Sequence, residues 1–278
     1  MLGVLAPAKI NLTLEVLAKR PDGFHEIRSV IQAIGLYDRI RFSLSRRLEF
    51  KCGRKGWIAG KSLVSKAVSR LRETTGYTGG VTVEIEKHIP LFSGLGGDSS
   101  GAAATLRELD RLWGLGLSSP ELVELASQLG SDVSFFLYGG TALLKGRGEL
   151  VMPLPVLPRM WVVLAVPPVF RMAGKTARLY ASLKPSHYTD GRITEKFIEV
   201  LGELKPEMLF NTFENVAFDR FAGLKVYKEH LIKLGAPHVH LAGSGPALFS
   251  LINDRAEAEE LYTCYKDQGL ECYLAETI

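Results

Sequence analysis

The stretch that most constrains this chain is Pro90-Leu91-Phe92-Ser93-Gly94-Leu95-Gly96-Gly97-Asp98-Ser99-Ser100-Gly101, followed by Ala102-Ala103-Ala104-Thr105-Leu106. Ahead of it Val81, Val83 and Ile85 alternate with Thr82, Glu84 and Glu86, the period of a strand. Behind it Ala102, Leu106, Leu109 and Trp113 recur at helical spacing. A glycine-rich loop therefore joins a strand to a helix. A helix start has unpaired N–H groups and partial positive charge. Gly94, Gly96 and Gly97 let the main chain approach an anion closely. Ser99 and Ser100 add hydroxyl donors and read as helix caps. Phosphate is the natural guest. A tight turn ahead of a well-capped helix needs fewer glycines and serines than stand here.

Two common nucleotide fingerprints do not fit. The P-loop requires a lysine after its last glycine, and none is present; the Rossmann pattern fails because Ser99 stands where its third glycine belongs. Gly56-Trp57-Ile58-Ala59-Gly60-Lys61-Ser62 imitates a P-loop but has three residues between its glycines instead of four. Lys61-Ser62 reads instead as the start of a helix through Leu63, Ala67 and Leu71.

Composition narrows the function classes. A length of 278 residues accommodates two modest domains, and a net charge of +4 suits anionic small molecules but is too small and scattered for nucleic acid. Cys52, Cys264 and Cys272 are far apart and odd in number, which fits a reducing cytoplasmic setting better than a disulfide framework. The amino-terminal segment does not read as a signal peptide, and no stretch approaches the roughly 20 apolar residues of a membrane helix.

Other segments carry candidate chemistry. Ile10, Leu12, Leu14 and Val16 alternate with Asn11, Thr13 and Glu15, which predicts a half-buried strand. Lys9 at its edge reads, on local evidence, as a surface lysine with its stem on apolar neighbours. Pro21-Asp22-Gly23 is a turn that projects Phe24 and His25, an aromatic and an imidazole able to frame a flat ring. Ser118-Ser119-Pro120-Glu121 starts a helix that Gly130 ends. Asp132 then falls before an apolar run, where its local reading is an Asx-type turn. A functional role for that carboxylate requires a cation, and Lys9 is the candidate. Pro153 to Pro158 looks like a domain seam. Thr176 to Leu183 reads as a helix carrying Tyr180. His238 and His240 share one face of a strand, but no third ligand is near, so they read as structural. Gly243-Ser244-Gly245-Pro246 forms a second glycine-rich turn. Strands mixed with helices predict an α+β or mixed α/β protein.

Pro7-Ala8-Lys9-Ile10-Asn11-Leu12, the glycine-rich run and Gly243-Ser244-Gly245-Pro246 occur in an order that resembles the GHMP kinase superfamily, over almost the whole chain. Arg20-Pro21-Asp22-Gly23-Phe24-His25-Glu26 and Gly130-Ser131-Asp132-Val133-Ser134-Phe135-Phe136 are similar to its branch that phosphorylates, with ATP, the 2-hydroxyl of a cytidine-diphosphate alcohol in non-mevalonate isoprenoid synthesis. The resemblance implies an α+β, two-domain GHMP kinase fold with a deep cleft: an ATP-binding domain over 1–152 and a substrate-binding domain over 153–278. It implies ATP with Mg²⁺, and no nucleic-acid or membrane partner. Lys9 and Asp132 match the catalytic pair. Gly94, Leu95, Gly96, Gly97, Asp98, Ser99 and Ser100 match the phosphate cradle, and the resemblance implies that Ser62, Leu63, Lys87 and Pro90 lie near the adenine. By the same resemblance Asn11, Phe24, His25, Asp132, Thr176 and Tyr180 would bind the acceptor, with Phe24 and Tyr180 sandwiching the cytosine and His25 hydrogen-bonding it. No metal ligand is certain; Asp98 and Ser99 are the Mg²⁺ candidates.

Departures from the branch pattern are Phe24 for a tyrosine, Phe92-Ser93 for Ala-Gly, Asp98 for a glycine, Gly101 for Asp or Asn, and Ser62 for an asparagine. Alternatives are a kinase for homoserine or a mevalonate derivative, and a non-catalytic GHMP-fold sensor. The Asp-Gly-Phe-His turn speaks against the first, because those acceptors have no base to stack. The presence of both Lys9 and Asp132 speaks against the second.

Overall fold

The computed structural model describes residues 2–169 and 174–278. Its strands and helices assort into two compact units, each assembled from separate segments. The first contains the amino-terminal strand up to Ala8, then Tyr37–Leu91 and Gly96–Gly139; the second contains Lys9–Leu36, Phe92–Leu95 and Gly140–Ile278. Strands β1 (Leu2–Asn11) and β3 (His25–Ser45) contribute residues to both.

In the first unit the end of β3 runs antiparallel to β5 (Gly80–Glu86), from Arg39 opposite Glu86 to Ser45 opposite Gly80. Strand β4 (Leu48–Cys52) lies parallel on the far side of β5, and α1 (Leu63–Thr75) makes the crossover that parallel neighbours require. The pleat sorts this sheet. Ile40, Phe42, Val81, Val83 and Ile85 are buried, while Arg39, Arg41 and Glu86 are exposed. Helices α2 (Gly97–Trp113), α3 (Ser119–Leu129) and α4 (Ser131–Tyr138) complete the unit. The alanines of α2 are buried, and Gly101 allows a close approach of α1: a Cβ there would meet Val64 Cγ2 at 2.9 Å. The expected start of α3 holds, with the Ser118 N–H and hydroxyl both donating to Glu121 at 2.8 and 2.6 Å.

In the second unit the first part of β3 pairs antiparallel with β2 (Thr13–Lys19) and β6 (Thr141–Lys145). Strand β6 turns back into β7 (Leu150–Pro153). A separate antiparallel sheet has β8 (Trp161–Ala165), β10 (His240–Leu241), β11 (Leu248–Ile252) and β12 (Cys272–Glu276) in the order β10-β11-β8-β12. Helices α5 (Lys175–Ser182), α6 (Arg192–Glu199), α7 (Glu214–Arg220), α8 (Leu224–Lys233) and α9 (Arg255–Asp267) and the two-residue strand β9 (Phe210–Asn211) complete it. One core joins Leu14 and Val16 to Val163, Leu248 and Ile252, to helix residues such as Leu179 and Leu261, and to Phe213 at the N-cap of α7. Burying such side chains contributes about 1.5–3 kcal/mol each. The proline-rich run from Pro153 connects β7 to β8 within this unit.

Two sequence expectations change. The strand through Ile10–Val16 is interrupted at Leu12 and is not half-buried, because Asn11, Thr13 and Glu15 are buried as well. The polar face is covered: Thr194 donates its N–H to Glu15 Oε2 at 2.7 Å and its hydroxyl to Thr13 Oγ1 at 2.9 Å. His238 and His240 go to separate carboxylates, Glu207 at 3.8 Å and Glu214 at 3.4 Å, and only His240 is in a strand. No helix among the described residues is long and apolar enough to cross a membrane.

Candidate active site

The glycine-rich loop is fixed to the second unit by its own backbone. Lys9 N–H donates to Leu95 O at 2.9 Å and Ala247 N–H donates to Ser93 O at 3.1 Å, so residues 93–95 are tied to β1 and to the second glycine turn. Gly94 adopts φ 92°, and a Cβ there would lie 2.0 Å from Ala242 O. Among the described residues Phe92 is the non-glycine residue held at positive φ, 55°.

The loop then opens α2 with Gly96 at the N-cap, φ 75°, and no side chain caps the helix. Ser99 and Ser100 lie inside the first turn, so the expectation that they cap it is corrected. With no side-chain acceptor at the N-cap, the first N–H donors remain available to an anion. Ser100 Oγ is buried without a hydrogen-bond partner among the described residues.

Asp98 has another task. Its Oδ1 accepts from Ser62 Oγ at 2.6 Å and its Oδ2 from Leu63 N–H at 2.8 Å. Ser62 is the N-cap of α1 and accepts from Val64 N–H at 3.2 Å. The two departures at positions 62 and 98 are thus bonded partners that cap α1 together. Replacing Asp98 with alanine is expected to lower stability by about 1–2 kcal/mol. The effect should shrink when Ser62 is already alanine, while the Mg²⁺ dependence of activity stays as in the wild type. Denaturant unfolding of the two single variants and the double variant, with Mg²⁺ titration of the rate, measures both.

Lys87 forms a buried ion pair with Asp38; the side chains are 4% and 1% exposed. Asp38 Oδ1 also accepts the N–H groups of His88 and Ile89 at 2.8 and 2.9 Å. This network fixes the end of β5 and places Lys87 Nζ 3.1 Å from where a Gly97 Cβ would stand, beside the start of α2. Pro90 is buried and Leu63 half-buried.

Lys9 is not a surface lysine. It is 4% exposed, and its ammonium donates to Asn11 Oδ1 at 2.7 Å. The Asn11 amide donates to Ser29 Oγ at 2.8 Å, which donates to Thr13 O at 2.6 Å. Burying an ammonium is costly unless polar partners surround it. Gly243, at φ 56°, gathers the arrangement: a Cβ there would be 2.9 Å from Lys9 Nζ and 3.1 Å from both Asn11 Oδ1 and Gly94 O. Sequence reasoning named Thr176 as an acceptor residue but missed Asn211 and Lys175, which hold this turn with it. Asn211 donates to Leu241 O and Gly243 O at 2.9 and 2.8 Å, Lys175 Nζ lies 3.4 Å from Ser244 O, and Thr176 Oγ1 lies 2.9 Å from Ser244 Oγ. The only sequence signal was position, Lys175 next to Thr176 and Asn211 opening a polar cluster.

Asp132 lies in the first turn of α4 and is half-buried. The Asx-turn expectation is corrected, since Gly130 separates two helices instead of ending one before a loop. An acid in a first turn is favoured by the partial positive charge there. Val133 to Phe136 are buried behind it.

The Pro21–Gly23 turn forms as expected, with Gly23 at φ 85° and Asp22 Oδ1 accepting Phe24 N–H at 3.0 Å. Phe24 is 52% exposed, with the Arg147 guanidinium 4.6 Å from its ring centre. Tyr180 stacks on His25, centroids 4.7 Å apart and planes at 16°, while Phe213 meets Tyr180 edge-on at 4.8 Å. Burial, and then the charge of Lys19, lower the His25 pKa below its ordinary 6.5. The imidazole is neutral at pH 7.

The first unit carries an uncapped helix start after a glycine loop, and the second carries a buried lysine beside a second glycine turn; each is a feature suited to an anion. Family models described as GHMP kinases N terminal domain and GHMP kinases C terminal match residues 62–140 and 193–269. The chain belongs to the GHMP kinase family. Over 280 residues it is 48% identical to 4-diphosphocytidyl-2-C-methyl-D-erythritol kinase of Dehalococcoides mccartyi, covering 100% of this chain and 99% of the relative. A crystal structure of 4-(cytidine 5'-diphospho)-2C-methyl-D-erythritol kinase superposes with a TM-score of 0.85 at 31% identity, covering 99% of each chain. A homoserine kinase from Cytophaga hutchinsonii has a TM-score of 0.75 at 20% identity, covering 99% of this chain and 94% of its own, and shares the fold.

Proposed function

We infer that this chain transfers the γ-phosphoryl group of ATP to the 2-hydroxyl of 4-diphosphocytidyl-2-C-methyl-D-erythritol, a step of non-mevalonate isoprenoid precursor synthesis. The convergence of Lys9, Asn11 and Gly94 O on Gly243 supports phosphoryl transfer most directly. The full-length likeness to kinases named for this alcohol supports the acceptor.

Phosphoryl transfer depends mainly on positioning and on stabilising charge spread over the transferred oxygens. The N–H groups at the start of α2 receive the ATP phosphates. Lys9, oriented by Asn11, adds a fixed positive charge. Asp132 accepts the proton of the attacking hydroxyl. Mg²⁺, if carried with ATP, would supply further charge neutralisation. It requires oxygen donors, and the half-buried Ser99 hydroxyl in the first turn of α2 fits better than Asp98, whose oxygens cap α1. Gly94, Leu95, Gly96 and Gly97 serve as backbone; Ser62, Leu63, Lys87 and Pro90 border the adenine. Phe24, His25, Thr176 and Tyr180 take the cytidine half. The reading places the protein in the cytoplasm, with Cys52, Cys264 and Cys272 as free thiols.

The test is ADP release with the cytidine alcohol, homoserine and mevalonate offered separately. Turnover with the first alone supports the reading, and turnover with either of the others, or with none, rejects it.

The His25 environment gives a pH prediction. Because its folded pKa is depressed, its contribution to stability is present above about pH 6.5 and is lost as pH falls through its lower folded value. The unfolding midpoint should drop over that acidic window and the KM for the cytidine alcohol should rise. His25→Gln should flatten both changes.

A further inference from the structure

Helix α5 has two working faces. Thr176 and Tyr180, four residues apart, share one; Lys175, Arg178, Leu179 and Ser182 follow the spacing of the other. That second face and Arg220, Phe221 and Ala222 at the end of α7 line a cavity of about 510 Å³, within the usual range for small-molecule pockets. Its described lining has three cations and no carboxylate. Elsewhere Arg20, Arg28, Arg159 and Arg255 are paired with acids. Arg178 and Arg220 have no acidic partner among the described residues, although both are exposed. Leu179 and Phe221 are buried at the floor, and Ala181 lies at an exposed edge.

We propose that this cavity binds a soluble phosphomonoester with a short apolar chain. The doubly charged head lies between Arg178 and Arg220, where guanidinium geometry suits phosphate oxygens. The chain lies over Leu179, Ala181 and Phe221. Lys175 adds a third positive charge while lying 3.4 Å from Ser244 O, so the cavity and the second glycine turn share one side chain. None of its described lining residues belongs to α2, and the proposal does not depend on which alcohol the enzyme phosphorylates.

The test is calorimetric titration of the full chain, saturated with ADP and the cytidine alcohol, using hexyl phosphate as probe. Inorganic phosphate, hexanol and vesicles containing phosphatidic acid form the comparison arms. Saturable one-to-one binding of hexyl phosphate is expected, tighter than that of either fragment. In Arg178→Gln/Arg220→Gln the affinity should fall about tenfold or more, with the melting temperature and the KM for ATP unchanged. Undiminished binding in that variant, equal affinity for inorganic phosphate, binding to vesicles alone, or no binding would overturn the proposal.

Discussion

Replacing Asp132 with asparagine should lower kcat by about 10²–10⁴-fold, the usual contribution of a positioned general base. Asparagine keeps the size of the side chain and its place in the first turn of α4, but cannot take a proton. The affinity for the cytidine alcohol should stay near its wild-type value, because the base acts on the hydroxyl in the transition state and not on the cytosine. Single-turnover kinetics and calorimetric titration separate the two quantities. A wild-type kcat would remove Asp132 from the chemistry. An unfolded variant is not expected, since the hydrophobic support of α4 comes from Val133, Phe135 and Phe136.

The second large effect is structural. In Gly94→Ala the new methyl would stand 2.0 Å from Ala242 O and 2.8 Å from Gly245 N, at a φ of 92° that an L side chain adopts only with strain. No rotamer relieves a Cβ clash with backbone, so the loop and the second glycine turn must separate. A loss of about 3 kcal/mol or more is expected, with a melting temperature lower by roughly 5–10 °C. The KM for ATP should rise in the molecules that remain folded. Gly114→Ala is the control. It also changes a positive-φ glycine, at 63°, but nothing lies within 4 Å of its Cβ. It should lose only about 1 kcal/mol. Equal melting temperatures for the two variants would contradict the tight fit at Gly94.

What the sequence made legible follows from what each signal measures. Strand β5 was readable because it buries one face, so Val81-Val83-Ile85 keep their period; helix α2 was readable from Ala102, Leu106 and Leu109 even though residues 100–106 are buried all round. Residues 27–52 carried no assignment, yet they form most of β3 and all of β4. In the middle of β3 residues 29–34 are all buried, which removes the alternation that marks a half-exposed strand. Lys9 was misread locally for a related reason. A lysine beside apolar residues looks like a snorkelling surface side chain until Gly243 and Asn11 are seen to enclose its amine. Only the order of distant motifs signalled its role. The bond between Ser62 and Asp98 was not legible, although both positions stood out as departures. They are 36 residues apart, and no local pattern links two helix starts. Likewise α4 was hidden because Gly130, in an extended conformation, both ends α3 and begins the next helix.

The central chemical claim is that Lys9 and Asp132 serve one transition state. A double-mutant cycle on kcat, with Lys9→Met, Asp132→Asn and both together, tests it most directly. Groups that act as a unit are strongly non-additive, so the double variant should be about as slow as the slower single variant. Losses that simply multiply would show that the two side chains work independently, and would contradict the account.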